Sequence, residues 1–139
     1  FGYWEKICNK DKVNCVGSQF ALDSSGKRIG RIVVSKANEN EKNIASIVNI
    51  FFPFETSTIN WRSGLLITVD QLEPLKENFF YCDKKGCNDR IQFSNMGNQA
   101  LINGSNLTIK FLDIGKNNTI QVLDVSLLDY NNMFKSLEN

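Results

Sequence analysis

Apolar and polar residues alternate over short stretches along most of this chain, and clusters of Gly, Asn, Asp, Ser and Lys separate them. A period of two sends successive side chains to opposite faces of a strand, so the pattern predicts a series of half-buried β-strands. Gly2–Cys8 is the first. Cys15–Leu22 is the second, with Val16, Phe20 and Leu22 on one face, and the polar stretch 9–14 turns between them. Asp23-Ser24-Ser25-Gly26 reads as the next turn. Ile29–Lys36 follows, then a polar loop over Ala37–Asn43. Ile44–Phe52 is nearly continuous in apolar residues, which predicts burial on both faces over part of its length, and Pro53 ends it.

The stretch Phe54–Gly64 has no period and reads as an irregular connection. Leu65–Asp70 is another strand. Phe79–Cys82 and Cys87–Phe93 flank Asp83-Lys84-Lys85-Gly86, a tight hairpin turn with Gly at the position that favours positive φ. Ser94 or Asn95 is placed to cap a short helix ending at Gly104. Leu107–Leu112 and Thr119–Ser126 form a last hairpin around Asp113–Asn118. Beyond it the period changes, because Tyr130, Met133, Phe134 and Leu137 share one face of a helix that can pack on the sheet. About seven to eight antiparallel strands with one or two short helices predict an all-β, immunoglobulin-like β-sandwich. With 139 residues and no internal linker, the chain reads as one domain over 1–139.

Composition narrows the function classes more than it names one. Sixteen Lys and Arg against fifteen Asp and Glu give a net charge of +1, spread along the chain. Nucleic-acid affinity needs a basic stripe, so no nucleic-acid partner is expected. The longest apolar run, Ile44–Phe54, is interrupted by Ser46, Asn49 and Pro53, and it falls short of the roughly 18 residues that span a bilayer. Phe1-Gly2-Tyr3-Trp4 has neither the basic nor the apolar region of a signal peptide, so an exported protein would start here after its cleavage site.

Four cysteines fall as two short-range pairs, Cys8/Cys15 and Cys82/Cys87, and the chain has no histidine. Four cysteines allow three connectivities. Loop entropy does not select the local one: bridges closing about eight and six residues give on the order of 2 to 2.5 kcal/mol each, against ~4 or more for one joining the clusters. Hairpin geometry does select it, since each pair falls across a predicted turn where the Cβ atoms approach bonding distance. Spacings of six and four intervening residues do not match the usual two-residue zinc knuckle, and no histidine is available, so disulfides are expected and no metal.

Other chemistry is sparse. There is no histidine base for a Ser or Cys nucleophile, and Ser35-Lys36 and Lys135-Ser136 are adjacent pairs that point apart on a strand. Paired carboxylates could still do acid/base work, which leaves a carboxylate-based enzyme as a third reading, but Glu39, Glu41, Asp83 and Asp89 read as solvated surface carboxylates. Asp23 reads as a turn residue, because the distal Glu of a calcium loop is missing. Phosphate-binding Gly loops are absent. No catalytic residue and no cofactor is therefore expected. The stretch from Phe51 to Arg62 is different, since it gathers Phe51, Phe52, Phe54, Trp61 and Arg62 around an irregular connection. Aromatics and Arg are the residues that anchor protein interfaces. Phe51, Phe52 and Phe54 also suit a cap on the core, so the candidate partner-binding set is Phe54, Trp61 and Arg62.

Four segments in order along the chain resemble a bacterial family. They are Phe1-Gly2-x-Trp4 leading to Cys8 and Cys15; Ser63-Gly64-Leu65-Leu66-Ile67-x-Val69-Asp70; Phe80-x-Cys82-x3-Gly86-Cys87; and Val125-Ser126-Leu127-x2-Tyr130. Together they resemble the invasion-associated locus B family, from residue 1 to about residue 137. The resemblance implies a small exported protein of Gram-negative bacteria, periplasmic or associated with the outer membrane, with an immunoglobulin-like sandwich. It implies a non-enzymatic role by surface binding, in host-cell attachment or invasion or as a housekeeping envelope factor. The partner would be a protein of the bacterial envelope or of host cells, with peripheral membrane association, and the chain a monomer or weak dimer. The cysteine framework Cys8, Cys15, Cys82 and Cys87 carries over as disulfide partners. Two departures stand out: Asp129-Tyr130 replaces a Gly-Phe step, and Thr58-Ile59-Asn60-Trp61-Arg62 replaces a Leu-Pro loop.

Overall fold

Strand alternation here resolves into one continuous antiparallel sheet. The computed structural model describes residues 1–38, 42–78 and 81–137, so Glu39, Glu41, Phe79 and Phe80 lie outside the described residues. Ten strands follow in chain order: β1 (Glu5–Cys8), β2 (Cys15–Leu22), β3 (Arg28–Lys36), β4 (Ser46–Pro53), β5 (Leu65–Val69), β6 (Leu75–Glu77), β7 (Tyr81–Cys82), β8 (Gly86–Phe93), β9 (Asn106–Asp113) and β10 (Thr119–Ser126). Two helices, α1 (Asn95–Asn103) and α2 (Tyr130–Ser136), complete the fold. The sheet order is β6-β5-β9-β10-β2-β3-β4-β8-β7, with β1 pairing on β2. The all-β antiparallel character is as expected. Seven or eight strands was too few: β6 is three residues long and leaves no readable period, whereas β7 falls within the predicted strand Phe79–Cys82.

The sheet curls into a half-barrel, so its two halves face each other across one core. Phe52 of β4 and Phe111 of β9, from opposite halves, meet with ring centroids 5.1 Å apart. Between the halves, β2 and β10 share the backbone pair Leu22–Asp124. Farther along this seam the Gln19 side chain stands in for a neighbouring strand. Its amide nitrogen donates to the Ser126 carbonyl (3.0 Å), and its carbonyl accepts from the Ser126 N–H (2.9 Å). β1 occupies the rest of that edge, pairing Glu5–Cys8 with Ser18–Cys15.

Both helices are set by local chemistry and packing. The Ser94 hydroxyl accepts from the Gly97 N–H and caps α1, and Gly104 ends it. Tyr130, Met133 and Leu137 enter the core, with the Tyr130 ring edge-on to Trp4 (5.7 Å) and its hydroxyl donating to Asn98 of α1 (2.6 Å). The interior face of β2 is Cys15, Gly17, Gln19 and Ala21, whereas the apolar Phe20 and Leu22 point outward and are exposed. α2 explains this inversion: a side chain on Gly17 would occupy the place of Met133.

Both local disulfides are formed, Cys8–Cys15 across β1–β2 and Cys82–Cys87 across β7–β8. At the second hairpin Gly86 does not take positive φ. The Asp83 carboxylate makes the turn instead, accepting from the N–H groups of Lys85 (2.8 Å) and Gly86 (3.3 Å). Gly86 is required for space, because a Cβ there would collide with the Phe52 carbonyl oxygen.

Candidate interaction surfaces and a buried carboxylate

The segment after Pro53 holds its exposed aromatics on different neighbours. Phe54 donates its N–H to the Lys85 carbonyl (2.9 Å), which ties it to the β7–β8 turn. Farther on, Ile59 bridges to Asp113, and Asn60 donates to the Leu112 carbonyl (2.8 Å). The buried Asp113 carboxylate accepts from the N–H groups of Thr58 (3.2 Å) and Gly115 (2.9 Å). Trp61 then starts a short 3-10 turn (Trp61–Ser63) beside the end of β9. Trp61 is 53% exposed and Arg62 is exposed, with the guanidinium 5.2 Å from the Trp61 ring centre, within cation–π range. Phe54 is 36% exposed, while Phe52 is core and Phe51 half-buried.

Next to this turn lies an apolar outer face that periodicity alone did not single out. Cross-strand pairing lines up Leu66, Lys110 and Val122 in one row and Leu112 with Ile120 in the next. Ile120 is 66% exposed. Leu66, Lys110, Leu112 and Ile120, with Ser63 and Gly64, border a shallow groove of about 260 Å³. Every second residue of β9 and β10 supplies the core, so the outward ones are fixed by the same alternation. The signal was Ile120 and Val122 sharing the face opposite Leu123 and Val125.

A second, larger groove of about 500 Å³ follows the β2–β10 seam. Tyr3, Phe20 and Leu22 give it apolar walls, and Arg28 lies over the Phe20 ring at 4.3 Å. Asp23 borders it but is committed to its own turn: it accepts from the Ser25 hydroxyl (2.7 Å) and the Lys27 N–H (2.9 Å). Those hydrogen bonds, Ser25 first, hold its carboxyl below the usual range.

Asp89 corrects the surface reading given to the carboxylates. It is 1% exposed, and its Oδ2 accepts no hydrogen bond among the described residues. Burial, and secondarily the charge of Glu77, pushes its pKa up to about 6. Strand period carried the signal, because Asp89 falls on the face shared by Cys87 and Ile91. Asp83, by contrast, is exposed. Among the described residues no group of three or more Cys, Asp or Glu could hold a metal ion. No helix among them is long and apolar enough to cross a membrane.

No curated protein matches this chain in sequence. In structure it is similar to the crystal structure of invasion associated protein b from Bartonella henselae. The TM-score is 0.77 at 20% sequence identity, over 97% of this chain and 91% of that one, which shows a shared fold. The family model described as "Invasion associated locus B (IalB) protein" matches residues 4–138. With nearly its whole length matched, this chain belongs to the invasion-associated locus B family.

Proposed function

We propose that this chain is an exported, non-enzymatic binding protein of the bacterial envelope. It docks a protein partner on the outer face of β5, β9 and β10, with Trp61 and Arg62 at the rim. The observation that carries this reading is the exposure of Leu66, Ile120 and Val122, with half-buried Leu112 and the exposed Lys110 among them, beside an exposed Trp. Contiguous apolar surface on a soluble fold marks an interaction site, and aromatics with Arg supply its anchors. Phe54, tied to the β7–β8 turn, is a separate contact point. Two disulfides and family membership support export to the periplasm or outer membrane. The name of the Bartonella henselae protein supports a role in host-cell attachment or invasion. The facing halves and the thin β2–β10 seam support the finer immunoglobulin-like description of the fold.

Crosslinking the oxidised protein in parallel to the producing cell's envelope and to host-cell membranes tests this. Trp61→Ala and Ile120→Lys should each remove a specific crosslink while shifting the melting temperature by less than about 3 °C. A host-membrane band lost in both variants identifies an attachment role. A band confined to the bacterial envelope makes the protein a housekeeping factor. Unchanged crosslinks in both variants, or a large loss of stability in Trp61→Ala, return this face to a structural role.

A further inference from the structure

The groove along the β2–β10 seam is walled by residues whose exposure the core does not explain. Phe20 and Leu22 are 42% and 37% exposed on the outer face of β2. Seating α2 requires small residues on the interior face of that strand and places no demand on the outward ones. Tyr3, which is also exposed, is presented by a fixed backbone. Trp4 after it is core, and Gly2 before it packs so closely on the Leu128 carbonyl oxygen that a Cβ would collide. These three side chains border one cleft of about 500 Å³, a volume in the range of ligand sites.

Two groups of opposite charge stand in the same cleft with hydrogen-bonding capacity to spare. Arg28 of β3 and Asp124 of β10 both pair across from Leu22, on its two sides. The three form one row on the outer face, so two strand spacings, about 10 Å, separate the backbones of Arg28 and Asp124. The Arg28 guanidinium rests on the Phe20 ring at 4.3 Å and donates to no acceptor among the described residues. That contact holds the side chain in place and leaves its N–H fork open to a carboxylate. Asp124 Oδ1 accepts from the Asn106 amide (3.0 Å), which also donates to Thr108 Oγ1 (3.1 Å). Asp124 Oδ2 accepts nothing among the described residues. Asp23 brings a second carboxylate to the border, with its Oδ1 taken up by the turn.

We infer that this groove binds a polyproline II segment of another protein, one that carries an acidic and a basic side chain three residues apart. Such a helix has three residues per turn and rises about 3.1 Å per residue, so residues i and i+3 project from one side roughly 9.3 Å apart. That spacing matches the span from Arg28 to Asp124. The acidic group takes the Arg28 fork and the basic group takes Asp124 Oδ2. The two residues between them lie on Leu22, with Tyr3 and Phe20 as walls, and aromatic walls are the surface on which such segments dock. A phosphoethanolamine head group, with two carbons between its charges, reaches one end only, and a neutral sugar leaves both charges without a counterion. The groove lies on β10 beyond Val122, and the inference does not rest on the docking face around Ile120.

An NMR titration of the oxidised, nitrogen-labelled protein with end-capped hexapeptides tests this. The probe is acetyl-Gly-Asp-Pro-Pro-Lys-Gly-amide. It should shift the backbone amides of Phe20, Leu22, Arg28 and Asp124 together and saturably, with a Kd on the order of 1 mM or below. Bringing the charges side by side, in acetyl-Gly-Pro-Asp-Lys-Pro-Gly-amide, should weaken binding about fivefold or more. Arg28→Glu should weaken the probe about tenfold or more and make acetyl-Gly-Lys-Pro-Pro-Lys-Gly-amide the better ligand. Asp124→Asn, which keeps the shape of the side chain, should also weaken the probe, and it keeps the test decisive if Arg28→Glu does not fold. Ile120→Lys should leave the titration unchanged, so this site and the docking face stand or fall separately. Equal binding of the two Asp/Lys peptides, or a titration that Arg28→Glu and Asp124→Asn both leave in place, would overturn the site. So would saturable shifts at these residues from an N-acetylglucosamine trimer or from dihexanoyl phosphatidylethanolamine with none from the probe.

Discussion

A methyl group added at Gly86 would collide with the Phe52 carbonyl oxygen and lie 2.8 Å from Pro53 Cα. Both obstacles are backbone of the paired strand β4, which cannot move without breaking its ladder to β8. At Gly17 the obstacle is the thioether of Met133, a side chain with other rotamers but fully buried. Gly86→Ala should therefore cost about 3 kcal/mol or more and Gly17→Ala about 1–2 kcal/mol. Urea denaturation of the two variants checks the order, and a costlier Gly17→Ala would show that α2 is seated more rigidly than the β7–β8 hairpin. Side-chain environments of this kind are partly legible in sequence. The alternation Cys87, Asp89, Ile91 carried the signal for an inward Asp89, against the surface reading of that residue. The exposed Phe20 and Leu22 were not legible, because the small interior residues of β2 make sense only once α2 is known to lie on them.

Among the elements, the seam between β2 and β10 depends most on one side chain. Gln19 satisfies the N–H and the carbonyl of Ser126 at once. Gln19→Ala should cost about 2–3 kcal/mol by stranding these groups and should speed hydrogen exchange at the Ser126 amide. Exchange that does not change there would mean that water replaces the amide without loss. The strands beside the seam were readable in full, since Cys15–Leu22 and Thr119–Ser126 carry period and punctuation within their own bounds. So were the Ser94 cap and Gly104 end of α1. β6 was not readable, because Leu75-Lys76-Glu77 is too short for a period and forms only where β5 offers an edge. The outer-face groove escaped for a related reason: its residues come from β5, β9 and β10, and only register brings them side by side.

At the scale of the whole molecule, neither disulfide joins the two halves of the sheet. Each closes its own hairpin, and of the four cysteines Cys15 alone belongs to the core cluster. Replacing either pair by Ser should lower stability by roughly 2 kcal/mol and leave the far-ultraviolet circular dichroism intact. Loss of the spectrum on losing either pair would show that a hairpin nucleates the sheet. The arrangement also bears on how the chain matures. Cys8–Cys15 and Cys82–Cys87 are consecutive along the sequence. Of these four thiols, a chain threaded N-terminus first into an oxidising space presents Cys15 when Cys8 alone has preceded it, and the second pair emerges after the first is sealed. Simple oxidation in order of appearance then gives the native pairing, and no shuffling enzyme is needed to correct it.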